Sequence, residues 1–256
     1  MRRSLYSISA PLIAFAVTLA VAPALFSPTE MVERRVIEAV KAATGRTLKI
    51  AGAKTVSIWA GRARFEDVTL EDAAAIGRAA LFAAKAIEGE ARLWPLLRGR
   101  VELTKLAIET PRFALDIDAA GKPNWSSPSE TSDASATVEI IAIKSGEVAY
   151  ADARSGRKEA VTSVNAIITP GVSPRPMDIT FDAVWRGEKI EGKAAFDRPM
   201  NLLSGRESGT VIDATTRHGK LKADGLALLA DTPRFDGTAA GSTPSLRDFC
   251  IWAAID

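Results

Sequence analysis

Between Met177 and Trp185 every second residue is apolar: Met177, Ile179, Phe181, Ala183 and Trp185, with Asp178, Thr180 and Asp182 between them. A period of two puts alternate side chains on opposite faces of an extended chain, whereas a helix would scatter them around its axis. Arg186-Gly187-Glu188 then reads as a turn, and Ile190, Gly192, Ala194 and Phe196 alternate with Lys189, Glu191 and Lys193. The pair predicts a β-hairpin with one wet face and one apolar face, and so a sheet protein.

The same alternation runs from Arg112 to Asp118, with Phe113, Leu115 and Ile117 on one side and Arg112, Asp116 and Asp118 on the other. Further strands are predicted over 47–51, 54–60, 62–71, 79–91, 100–109, 137–144, 146–151, 160–169, 207–217, 219–228 and 234–240. Short connections make a mainly antiparallel meander the economical topology. Residues 126–136 are Ser-rich with no apolar period, and predict a flexible loop between a first β segment, 46–125, and a second, 137–256. Ser245-Leu246-Arg247-Asp248 has a capping-box pattern that opens a short helix with Phe249, Cys250, Trp252 and Ala253. That helix reaches the last residues without a C-cap, the pattern expected of a truncated chain. Leu106–Phe113 resembles Leu228–Phe235, but Pro at a strand start accounts for both.

From Ser4 to Thr29 there are 26 residues without a charge, preceded by Arg2 and Arg3. As a helix they would reach about 39 Å, against a hydrocarbon core of about 30 Å. A cleaved signal ending near Ala22-Pro23-Ala24 is the competing reading. Ser27-Pro28-Thr29-Glu30, a capping box with Pro at the first helical position, opens a second helix directly and favours a retained anchor. The predicted arrangement is a cytoplasmic tip and transmembrane anchor over 1–29, with residues 5–26 in an inner membrane. An amphipathic juxtamembrane helix over 30–45 follows, with Val32, Val36, Ala39, Val40 and Ala43 in one stripe. That stripe suits a membrane surface or the following domain equally well. Either reading sends the bulk of the chain across the membrane.

Composition closes several routes to chemistry. One Cys and one His cannot build a Cys/His metal centre, a thiol redox pair or an intramolecular disulfide. With 33 Lys plus Arg against 31 Asp plus Glu and no basic stripe, no nucleic-acid partner is expected. His218 falls in a turn and is expected to be solvated, and no Gly-x-Ser-x-Gly elbow accompanies it. Glu66-Asp67 and Glu71-Asp72 are adjacent pairs whose side chains diverge, and read as solvated turn residues. There is no phosphate-binding glycine loop, and Asn124-Trp125-Ser126 is a three-residue sequon that chance supplies often. No catalytic residue, metal ligand or cofactor is predicted. What remains is physical: amphipathic strands whose apolar face must be covered by a helix, a second sheet or a ligand.

One ordered set of motifs carries a resemblance. Thr44-Gly45-Arg46 is followed by the strand Leu48-Lys49-Ile50, then Leu93-Trp94-Pro95-Leu96-Leu97-Arg98-Gly99, a strand ending at Pro111, and Gly121-Lys122-Pro123-Asn124-Trp125. Farther on come Gly146-Glu147-Val148-Ala149-Tyr150-Ala151-Asp152, Thr232-Pro233-Arg234-Phe235, and the helix from Ser245 to Trp252. In this order they resemble the N-terminal region of the AsmA-like family of bacterial envelope proteins, whose members are usually longer. The resemblance implies an inner-membrane anchor and a periplasmic body shaped as an elongated, mainly antiparallel open β-groove. It also implies a role in outer-membrane homeostasis through bridge-like phospholipid transfer, and no catalytic residues.

A lipid groove would be lined by Phe113, Leu115, Ile117, Ile179, Phe181 and Trp185, with phospholipid acyl chains as the partner. The same residues would form the dry side of a two-layer core in an envelope scaffold that binds outer-membrane proteins through sheet edges. Gly121, Asn124 and Trp125 read as structural, Gly121 permitting a tight turn and Trp125 anchoring the base of the loop.

Overall fold

The computed structural model describes residues 28–57, 59–71, 80–97, 102–125, 137–171, 176–203, 206–228 and 234–253. The expected anchor over 5–26 and the Ser-rich loop 126–136 lie outside the described residues. Among the described residues no helix is long and apolar enough to cross a membrane. The chain is mainly β with few helices, and divides into two compact units at Glu159/Ala160.

The first unit opens with helix α1, Pro28–Thr44, whose Glu30 and Lys41 complement its dipole at the two ends. Gly45 takes φ +69, and its N–H donates to the Lys41 carbonyl at 2.8 Å, closing the helix with a left-handed cap. The Thr44 hydroxyl donates to the Val40 carbonyl at 2.6 Å and accepts from the Arg46 N–H at 3.1 Å. Strands β1 (Thr47–Ile50) and β2 (Lys54–Ser57) follow one another along the same side of β3 (Arg62–Glu71). Next come β4 (Phe82–Ala91), the five-residue helix α2 (Leu93–Leu97), β5 (Glu102–Glu109), β6 (Arg112–Ile117), β7 (Thr137–Val138) and β8 (Ile141–Asp152), in the sheet order β1-β3-β4-β5-β8.

Alternation decides which side is dry. Phe65, Val68, Leu70, Ile87, Leu103, Leu106 and Ile108 are all buried. Helix α1 packs on β1 and β2 and buries Val36 and Val40, so its apolar stripe is part of this core. The opposite face carries Arg64, which binds Glu66 (3.1 Å), Glu88 (3.3 Å) and Glu109 (3.0 Å) across three strands. The guanidinium holds the Glu109 carboxyl below its usual range, and this half-exposed network contributes only modestly to stability.

Three features depart from the sequence expectations. The first unit is not a pure meander: β8 runs parallel to both β5 and β6, and β7 parallel to β5. Parallel neighbours need a crossover, which residues 118–136 supply, so the low-complexity stretch belongs to a connection between adjacent strands. The expected strands 137–144 and 146–151 are largely one, β8, because Ser145 adopts φ +51 and bends the strand without ending it. Finally, Glu66 and Asp67 sit inside β3, with Asp67 at φ +50, and are not turn residues.

The near-repeat also divides. At Thr110-Pro111 the chain kinks and continues, since β5 and β6 both pair with β4. After Leu228 it reverses, since β13 (Gly219–Leu228) pairs antiparallel with β14 (Arg234–Ser242). Similar octapeptides therefore serve different geometry.

The second unit takes up the chain within β9 (Arg157–Thr169) and continues through β10 (Met177–Trp185), β11 (Glu188–Phe196), the short helix α3 (Pro199–Leu203), β12 (Ser208–Thr216), β13 and β14 to helix α4 (Leu246–Ala253). Here the meander expectation holds, with every pairing from β9 to β14 antiparallel. Arg186 (φ +50) and Gly187 (φ +78) alone form the β10–β11 turn, because Trp185 already pairs with Glu188. Two successive positive φ values define the hairpin turn that matches strand twist. Helix α4 is capped as its sequence predicts, the Asp248 N–H donating to the Ser245 hydroxyl at 3.3 Å.

Candidate functional site

The register fixes which second-unit residues share a face. One cross-strand row reads Ile168, Ile179, Ala194, Ile212, Ala223 and Ala239 from β9 to β14. The next reads Ala166, Phe181, Gly192, Ala214, Leu221 and Gly241. Neither contains a charge, and at roughly 4.8 Å per strand they span about 24 Å. The reverse face carries Thr180, Lys193, Asp213 and Lys222 in one row, with Lys222 and Asp213 paired at 3.0 Å.

Among the described residues no layer comparable to α1 of the first unit lies over this apolar face. On the two rows only Ala166 is buried, and Leu221 is 45% exposed; farther out, Phe235 is 43% exposed. Its relief is low because Gly and Ala dominate. Gly192 is required: a Cβ there would lie 2.7 Å from the Asp213 carbonyl oxygen and 2.9 Å from Phe181 Cζ, so the Phe181 ring reaches over bare backbone.

One end of the face is closed by aromatic packing. Trp252 of α4 meets Trp185 edge-on at 5.1 Å and stacks on His218 at 5.2 Å, with Phe249 at 5.9 Å. The Arg186 guanidinium lies 4.9 Å from the Trp185 ring centre and donates to the Trp252 carbonyl at 3.0 Å. His218 does occupy the β12–β13 turn, but its side chain is only 17% exposed, sandwiched by Trp252 and near Glu188. A shallow pocket of about 520 Å³ opens beside it, lined by Arg217, His218, Ser245, Asp248 and Trp252 among others.

The expected lining residues fall in both units. Ile179 and Phe181 lie on the open face, while Trp185 lies under α4. Phe113, Leu115 and Ile117 lie on β6 of the first unit, all half-buried. There Phe113 packs on the buried Phe82 at 5.0 Å, Leu115 pairs with Tyr150, and Ile117 pairs with Asp152. Arg154 grips Asp152 at 2.7 Å and pulls its pKa from 3.8 to about 2, fixing a charge at that end of the strand. The extension of the open face through Ile212, Ala214, Leu221 and Ala223 was missed, although Leu221, Ala223 and Gly225 alternate with Lys220, Lys222 and Asp224 in the sequence.

The Gly121–Trp125 segment braces the first unit. Gly121 takes φ +79 in a turn whose Asp118 side chain accepts from the N–H groups of Ala120 and Lys122. Asn124 lines the edge of β6, its amide donating to Ala114 O at 2.8 Å and its Oδ1 accepting from Asp116 N at 3.0 Å. The buried Arg46 guanidinium donates to the Asn124 carbonyl at 2.5 Å, joining two motifs 78 residues apart. Truncation by Arg46→Ala should cost about 2–3 kcal/mol, read as a lower melting temperature. Full stability in Arg46→Ala would show that this bond bears no weight. Trp125 is half-buried beside this bracing.

These features define a sheet protein whose second unit presents one continuous apolar face. Residues 1–233 match the AsmA family, and the chain belongs to that family. No curated protein matches it.

Proposed function

We propose that this is a membrane-anchored envelope protein that handles phospholipid, laying acyl chains on the apolar face of the second unit while the head group stays in water. The observation that carries the reading is the pair of charge-free rows crossing six strands with no covering layer among the described residues. Each CH₂ removed from water on such a surface contributes up to about 0.8 kcal/mol, and a low-relief floor admits chains of different length. Family membership supports an envelope role, and the uncharged run over 5–26 supports anchoring in the inner membrane with the bulk of the chain periplasmic. In this reading the protein performs no catalysis.

The test is site-specific photo-crosslinking in cells with labelled phospholipid. A crosslinker at Ile212, on the open face, should capture lipid, while one at the neighbouring Val211, on the reverse face, should not. Equal capture at both positions, or at neither, would defeat the reading.

A second reading, a scaffold that binds outer-membrane proteins through a sheet edge, is favoured by β14, where all nine residues are exposed and the pairing is with β13. It expects a crosslinker at Thr238 to capture protein while Ile212 captures no lipid.

A further inference from the structure

We propose that Trp59 and Trp94 form a docking surface that seats the first unit on the interface of a phospholipid bilayer. This rests on reading residues 5–26 as a membrane anchor. Trp59, in the β2–β3 turn, is 86% exposed, and Trp94, in α2, is 71% exposed. Indoles left this open forgo the burial that normally stabilises a folded domain, and two together mark a surface with a use.

The fold brings them to one end of the sheet. Gly61, two residues after Trp59, accepts a hydrogen bond from the N–H of Ala91 at 2.7 Å, and Trp94 follows Ala91 by three residues. Helix α1 leads its N-terminus to the same end. Its last residue, Thr44, adjoins the start of β1, whereas Glu33 near its beginning pairs with Lys54 of β2 at 2.5 Å. The helix therefore runs antiparallel to β1 and β2, and Pro28 lies toward the Ser57–Trp59 turn. The uncharged run that ends at Thr29 enters the described fold beside the two tryptophans.

That placement selects a bilayer as the occupant. Indoles partition to the boundary between head groups and acyl chains, where the ring is apolar and its N–H meets water. Of the cations beside the indoles in the described residues, Arg62 pairs with Glu90 at 3.6 Å and Arg92 with Glu139 at 2.5 Å. The indoles are accordingly the part of this surface that a neutral bilayer can engage.

The experiment reconstitutes the full chain into phosphatidylcholine vesicles containing brominated lipid, which quenches nearby indoles, and compares it with the Trp59→Ala/Trp94→Ala double variant. Two of the five tryptophans report the surface, so quenching should remove up to about two fifths of the wild-type emission beyond any loss seen in the variant. The double variant should still fold, because both side chains are largely exposed. Carbonate-resistant flotation with this difference supports the proposal. Carbonate-resistant flotation with equal quenching overturns it and leaves the anchor standing. Carbonate release with the difference retained supports docking and removes the anchor, and no flotation at all overturns both.

Discussion

Phe181→Asp is expected to abolish phospholipid capture at Ile212 and to leave the protein folded. Phe181 occupies the row beside Ile212, with its ring over Gly192, on a face that no second layer among the described residues encloses. A carboxylate there stays hydrated in the lipid-free protein, and the cost is the lost cross-strand contact, about 1 kcal/mol. An acyl chain laid across the face would have to strip that charge of water, which costs several kcal/mol and outweighs the burial of a few methylenes. Thr180→Asp, on the charged reverse face, should leave capture intact. Undiminished capture in Phe181→Asp would remove lipid from this face. A variant that cannot fold would make Phe181 a core residue and end the open-face reading.

Phe65→Ala is the counterpart in the first unit and should be the most destabilising of the substitutions considered. Phe65 on β3 is fully buried, with β2 and β4 on either side, so deletion of its ring leaves a cavity that the surrounding strands cannot close. The expected loss is about 3–5 kcal/mol. Phe181→Ala removes the same atoms from a surface where water or lipid can follow, and should cost at least about 2 kcal/mol less. Urea unfolding of both variants in the full chain measures the difference. Equal losses would mean that the two faces are enclosed to the same degree.

That contrast also marks where sequence reading stops. Phe65 and Phe181 occupy similar patterns, an aromatic ring with a polar or charged residue on each side, Arg64 and Glu66 in one case and Thr180 and Asp182 in the other. Alternation is local, and records only that a strand has a dry side. Whether a helix lies over that side depends on elements tens of residues away. In the first unit α1 packs over β1 and β2, and its stripe of Val36 and Val40 was legible without its destination being so. His218 shows the same limit: its turn was evident, but the distant Trp252 determines that it is packed. Pairing partners were equally inaccessible. The strand period in 102–117 and 141–152 says nothing about direction, and a parallel pairing arises there because the crossover of residues 118–136 returns the chain to the same end.

By itself the sequence determined the strands, their dry faces, the two helix caps at Gly45 and Ser245, and the scarcity of Cys and His, because each of these follows from residue type and short-range periodicity. The tertiary structure alone decided that the described elements bury one dry face and leave the other uncovered, that Arg46 reaches Asn124, and that Trp59 and Trp94 share the end where α1 begins. Those outcomes depend on which distant segments pack together, and no local period encodes that.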